Sequence, residues 1–234
     1  MERKLSYQKE ELSTTVNQVM KNIFMLMSLA LALTGYVSYL IMSNEEILIK
    51  LLSNTMVFHG LLIAELIMVI VMSAMINKMS FPAAMALFAL YSALNGVTLS
   101  PLMSLYTEES ITSTFFITAG TFGTMALFGY TTKKDLTGIG RILIMALIGI
   151  IIATIANIFI GSSQMSMIIN YVGVIIFVGL TAYDTQKIKE MTQKSIQSGN
   201  ESIIPKLSVI GALTLYLDFI NLFIKLLKLM GKRK

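Results

Sequence analysis

Leu207-Ser-Val-Ile-Gly211-Ala-Leu-Thr214-Leu-Tyr-Leu-Asp218-Phe-Ile-Asn221-Leu-Phe-Ile-Lys225-Leu-Leu227 is apolar enough and long enough to cross a bilayer, yet it carries a carboxylate near its centre. Such a charge costs roughly 3 kcal/mol on insertion scales, so a membrane protein rarely keeps one without a use for it. A helix turns by about 100° per residue, and steps of three and four stay on one face. From Asp218 these steps select Leu207, Gly211, Thr214, Asn221 and Lys225, a stripe mostly small or polar. The remaining residues are mainly Leu, Ile, Phe and Val. A helix of this pattern turns its polar stripe toward protein or a water path rather than lipid. The segment is therefore expected to be the least lipid-exposed of its bundle.

A second aspartate follows the run before it. Asp184 ends Gly179-Leu-Thr-Ala-Tyr-Asp184, on a face shared with Gly173, Phe177 and Leu180. That face is apolar up to Asp184, which places the carboxylate toward one end of its helix. Glu65 lies near the middle of a third apolar run, with Asn54 on nearly the same face.

The rest of the chain fits a membrane class. Its 234 residues are 55% hydrophobic and 13% charged, with a mean hydropathy of +0.75, whereas soluble domains average about 25% charged. Seven apolar segments are read: residues 23–42, 51–76, 81–103, 111–130, 142–160, 165–182 and 207–227. The expectation is an all-α membrane protein, a seven-transmembrane-helix bundle with the last helix central. Residues 1–22 form a polar N-terminal tail with no signal-peptide pattern, 23–228 the membrane domain and 229–234 a basic C-terminal tail. Tyr39, Tyr106 and Tyr130 near segment ends supply an interfacial belt in a chain without tryptophan.

With no cysteine, disulfides and thiolate metal sites are excluded, and the single His59 cannot build a zinc site alone. The net charge of +5 does not point to nucleic acid, because the basic residues lie in loops and tails. Twelve Lys and Arg fall on the side of the N-terminus and six on the other, which favours a cytoplasmic N-terminus. The five basic residues at the C-terminus, Lys225, Lys228, Lys232, Arg233 and Lys234, fit this poorly. Seven full spans put them outside, and a re-entrant last segment would return them. The unbroken run 207–227 favours the full span. Small residues four apart (Ser92, Gly96, Ser100; Ala119, Gly123; Gly149, Ala153) are read as close helix packing.

Gly179-Leu-Thr-Ala-Tyr-Asp184-Thr-Gln-Lys-Ile-Lys189, followed by Leu215-Tyr-Leu-Asp218-Phe-Ile-Asn221-Leu-Phe223, strongly resembles the signature of the Bax inhibitor-1 family, also called the transmembrane Bax inhibitor motif family. Tyr130-Thr-Thr-Lys-Lys-Asp135-Leu-Thr-Gly-Ile-Gly140 is similar to the family's loop before its fifth helix, and Ala64-Glu65-Leu66 to its acidic position on the second. The resemblance implies seven helices, the last surrounded by six, and a pH-sensitive calcium leak. It implies that Asp184 and Asp218 form a di-aspartyl pH sensor that gates the path, and that Glu65 lines it. Some bacterial relatives latch an arginine of the second helix onto the aspartate of the sixth. The arginines here are Arg3, Arg141 and Arg233, so Asn77 or Lys78 is the nearest substitute.

The chemistry of the pair is clear. Two carboxylates in hydrogen-bonding range cannot both ionise cheaply, so they share a proton and titrate as a unit. Both ionised, they attract Ca²⁺, a hard cation that takes oxygen ligands. Transient contacts of the permeating Ca²⁺ are assigned to Asp184, Asp218 and Glu65, with Asn221 and Thr214 along the path and Lys225 as an ion-pair or snorkelling residue. No resident cofactor and no catalytic residue is expected.

Two other readings stand beside the leak channel. One is a non-conducting regulator that binds a membrane protease or cell-death protein. The other, remote, is an intramembrane aspartyl protease, which also places Tyr-Asp on one helix and an aspartate on the next. Those enzymes carry Gly-x-Gly before the second aspartate, where this chain has Tyr216-Leu217, and the Pro-Ala-Leu element expected downstream is missing. The expected location is the bacterial plasma (inner) membrane, with the bilayer and Ca²⁺ as partners.

Overall fold

The computed structural model describes residues 2–234, with side chains for 12–76, 78–200 and 202–234. It is all-helical. Eight α-helices follow one another: α1 (Glu2–Met42), α2 (Glu45–Ser53), α3 (Thr55–Met75), α4 (Phe81–Ser104), α5 (Glu108–Thr131), α6 (Thr137–Ile160), α7 (Ser163–Gln197) and α8 (Ile204–Met230). All but α2 are long and apolar enough to cross a membrane.

Local chemistry explains most boundaries. Asn44, Asn54, Ser80 and Thr107 accept backbone N–H groups three residues on and start α2, α3, α4 and α5. Pro82 sits in the first turn of α4, where no N–H is missed. Gly161 (φ 68°) ends α6 and Gly199 (φ 71°) follows α7, both in the left-handed region that glycine enters without strain.

Two boundaries differ from the sequence reading and a third agrees with it. The polar stretch 1–22 is helical and runs on into the first span: α1 begins at Glu2, and Val16, Val19, Met20 and Ile23 are buried. Their three-and-four spacing continues through Met27 and Ala30 to Thr34, so one buried stripe runs beneath the charged residues. The run 51–76 is two helices, because the Asn54 side chain caps α3 through Val57 N at 3.1 Å. Asn54 therefore does not share a polar face with Glu65. The sixth span does extend beyond Asp184, as far as Gln197.

The chain forms two compact units, Met1–Leu105 with Lys189–Tyr216, and Tyr106–Ile188 with Leu217–Lys234. In the first, α1 packs along α4. Thr34 Oγ1 lies 2.8 Å from Ser92 O and 2.7 Å from the Tyr216 hydroxyl, and the Tyr216 ring meets Phe88 and Tyr91 edge-on. Gly96 permits this approach, since a Cβ there would lie 2.6 Å from Thr34 O and 2.7 Å from Val37 Cβ. In the second unit, Leu136, Ile150, Ile176, Phe177, Leu180, Tyr183 and Leu222 form the core. Phe219 packs on Phe115 and Phe122 of α5 at 5.5 Å each.

Burial ranks the spans. In the most apolar window of α8, 72% of residues are buried, against 0% in α6. The last helix is the most enclosed, as its polar stripe required, and α6 is the most apolar and the least enclosed of the spans. The C-terminal tail is fixed. Thr107 N donates to Lys232 O at 3.0 Å, Lys232 N donates to Ser110 Oγ at 2.9 Å, and Arg233 pairs with Tyr106. Tyr106 is thus buried under the tail rather than part of an interfacial belt. The tail shares an end with the start of α5, and α8 runs unbroken from Ile204 to Met230.

Two outcomes follow. Gly96→Ala costs about 1–3 kcal/mol by overpacking, whereas Gly123→Ala, with nothing within 4 Å, is neutral or gains up to about 1 kcal/mol; thermal unfolding in detergent reads both. In this cysteine-free chain, Ser6→Cys and Lys234→Cys react with an impermeant maleimide from opposite membrane faces.

Candidate functional site: a paired aspartate site

Asp218 and Asp184 belong to the same unit, and their charges act on one another. Asp218 is buried at 5% exposure, and its Oδ2 has no hydrogen-bond partner. A buried polar oxygen left unpaired costs about 1–3 kcal/mol, more when charged, so this one calls for a proton or a cation beside it. Asp184 is partly buried on α7, with buried Thr181 and Thr185 flanking it. Those hydroxyls donate to their own helix, at 2.7 Å to Phe177 O and Thr181 O. Lys187, one turn on, is the cation whose charge reaches Asp184; its ammonium also lies 5.7 Å from the Tyr183 ring centroid.

The other predicted residues divide. Asn221 and Lys225 follow Asp218 along one face of α8. The Asn221 amide donates to Leu217 O at 2.8 Å. The Lys225 stem crosses Gly173 of α7, where a Cβ would lie 3.0–3.2 Å from its Cγ, Cδ and Cε. Thr214 donates to Ile210 O at 2.9 Å.

Glu65 belongs to the first unit and accepts from Thr98 Oγ1 at 2.6 Å. Among the described residues no three His, Cys, Asp or Glu side chains gather to hold a metal. Within its own unit Glu65 is a hydrogen-bonded acid. Lys78 is exposed, and the Asn77 side chain lies outside the described residues. His59 is exposed and bonds Thr55 O at 2.8 Å. Of the small-residue stripes, Gly96 makes a close approach, but Gly123 and Gly149 face open space.

Sequence reasoning missed Gln186. It is buried; its Oε1 accepts from Leu136 N and its Nε2 donates to Lys134 O, both at 2.8 Å. These bonds tie the loop between α5 and α6 to α7, two residues beyond Asp184. Gly129 and Gly140 complete the junction, since a Cβ at either would run into Ala182 O or the Tyr183 ring. The signal was present: the loop Tyr130–Gly140 and the stretch Gly179–Lys189 were both recognisable, but nothing in either showed that they touch.

The fold and site define a polytopic helical membrane protein with an unpartnered carboxylate oxygen buried in its most enclosed helix. Comparison with known proteins then places it. Residues 16–234 match the family described as "Inhibitor of apoptosis-promoting Bax1", and the chain belongs to that family. The Inner membrane protein YbhL of Escherichia coli K12 is 48% identical over 215 residues, 92% of each chain. A protein of Borreliella burgdorferi is 44% identical over 230 residues, 98% of each, and a membrane protein of Streptococcus pyogenes serotype M1 is 39% identical over 219 residues, 93% of each.

Asp135 offers a pH test outside the spans. Its hydrogen bonds with Thr137, including Thr137 N to Oδ1 at 2.8 Å, hold its carboxyl below the usual carboxylate range. The folded state therefore binds this proton less tightly than the unfolded chain. The stabilisation is present above the ordinary carboxylate pKa and is lost as pH falls through the lowered one. Asp135→Asn should remove that acid-side dependence from thermal unfolding curves and leave neutral-pH spectra unchanged.

Proposed function

We propose that this protein is a pH-sensitive calcium leak channel of a bacterial plasma membrane, with Asp184 and Asp218 as a shared-proton gate and no catalytic activity. The observation that carries this reading is the unpartnered Oδ2 of Asp218, buried in the most enclosed span beside a second carboxylate. Such an arrangement needs a proton or a cation, and those two compete for the same oxygens. When the pair shares a proton, α8 carries less charge into its packed surroundings. When a cation replaces the proton, the same oxygens coordinate it and pass it along the Asn221 face. Glu65, held by Thr98, supplies a separate acidic step in the other unit. The location rests on the inner-membrane relative from Escherichia coli and on the basic residues that favour a cytoplasmic N-terminus.

The test is Ca²⁺ flux into liposomes holding the purified protein, across roughly pH 6 to 8, around the range where side chains titrate near neutrality. Flux rises above that of empty liposomes and depends on pH, and Asp184→Asn or Asp218→Asn flattens the dependence. Flux that keeps its pH profile in both variants removes the pair from gating. Absence of flux at every pH leaves the regulator reading, in which a partner membrane protein is the target.

A further inference from the structure

The aspartate pair depends on how α7 is turned, and the structure shows what sets that turn. At about 100° per residue, Gly179, Ala182, Tyr183 and Gln186 fall within one sector of about 100°. Each has a specific neighbour on the α5–α6 side. A Cβ on Gly179 would lie 2.6 Å from Leu143 Cδ1. Ala182 O sits against Gly129, and the Tyr183 ring against Gly140. Gln186 alone in this sector is held by directed bonds, one accepted from Leu136 N and one donated to Lys134 O. Asp184 projects about 150° from the middle of the sector, away from the gripped face. The packing contacts are apolar or glycine-permitted and tolerate sliding. Two hydrogen bonds from one side chain to two backbone groups of a loop do not, because rotation of α7 breaks both and leaves buried polar atoms unpaired.

We infer that Gln186 is a positioning residue: by pinning α7 to the loop between α5 and α6 it fixes the rotation at which Asp184 meets Asp218. The inference rests on the proposed role of the pair. The charged groups around Asp184 are Asp218 on α8 and Lys187 on α7. Lys133, Lys134, Asp135 and Arg141, in the loop and the first turns of α6, are exposed. Gln186 itself does not titrate, so any effect of replacing it on the pair acts through geometry.

The experiment follows the pair without relying on flux. Infrared pH-difference spectra of the reconstituted protein report the protonated-carboxyl stretch, identified as the band that Asp218→Asn removes. Asp184→Asn sets the limit in which the pair no longer interacts. Gln186→Met, which keeps the volume and removes both bonds, should move the titration midpoint toward that limit by about threefold in proton concentration, a readable shift. Gln186→Asn, which keeps an amide but is one methylene too short to hold Leu136 N and Lys134 O together, should move it in the same direction. A Gln186→Met profile that superimposes on the wild type, even with a lowered Tm, overturns the inference, because the residue is then structural only. A wild type whose band is unmoved by Asp184→Asn overturns it too, since there is no encounter to hold. A protein that shows the expected shifts yet conducts no Ca²⁺ upholds the positioning role and sinks the leak reading instead.

Discussion

A carboxylate enclosed by a helix that is itself enclosed is the constraint around which this structure is arranged. Asp218 occupies the most buried span, and one of its oxygens has no partner. Neighbouring polar groups do not relieve it: the Asn221 amide bonds Leu217 O, and the Thr214 hydroxyl bonds Ile210 O. The adjacent Phe219 is wedged against Phe115 and Phe122, which resists local movement of α8. An ionised group so placed requires a companion, and the group whose charge reaches it is another acid. A proton or a cation is the species that resolves that conflict, and the proposed function takes this as its starting point.

Much of the fold was legible because membrane insertion leaves a strong mark. Runs of about twenty apolar residues can only be spans, and the polar stripe on residues 207–227 correctly marked α8 as the least lipid-exposed. The errors arose where a local signal was hidden inside a stronger one. The buried stripe from Val16 to Ile23 lies among polar residues, Asn17, Gln18, Lys21 and Asn22, that lower the average, so the start of α1 read as a tail. The break at Asn54 lies within an apolar stretch, where a single capping side chain outweighs hydrophobicity.

The site was legible in part for a related reason. Periodicity gives the face a residue occupies but not what that face meets. It set Gly96 and Gly123 on equal terms, yet only Gly96 lies against a neighbouring backbone. It grouped Asn54 with Glu65, and the two have different local partners. Gln186 carried no signal, because a glutamine beside Lys187 and Lys189 reads as solvated helix surface. Its two bonds exist only because Gly129 and Gly140 let α5 and α6 close on α7.

The C-terminal tail shows how geometry and charge rules divide their work. Counted as charge, Lys228, Lys232, Arg233 and Lys234 argue for the same membrane face as the N-terminal residues. Counted as backbone, the tail is tied to the start of α5. Lys232 is held by both its N–H and its C=O, to Ser110 and Thr107, and Gly231 lies against the buried Tyr106 ring. Between Thr107 and Ser110 in the chain stand Glu108 and Glu109, which open α5 and bring negative charge to the end where the tail docks. The basic cluster thus meets an acidic helix start. The tail's position at the start of α5 is thus set locally, by two hydrogen bonds of the Lys232 backbone and a buried aromatic ring, and not by its charge.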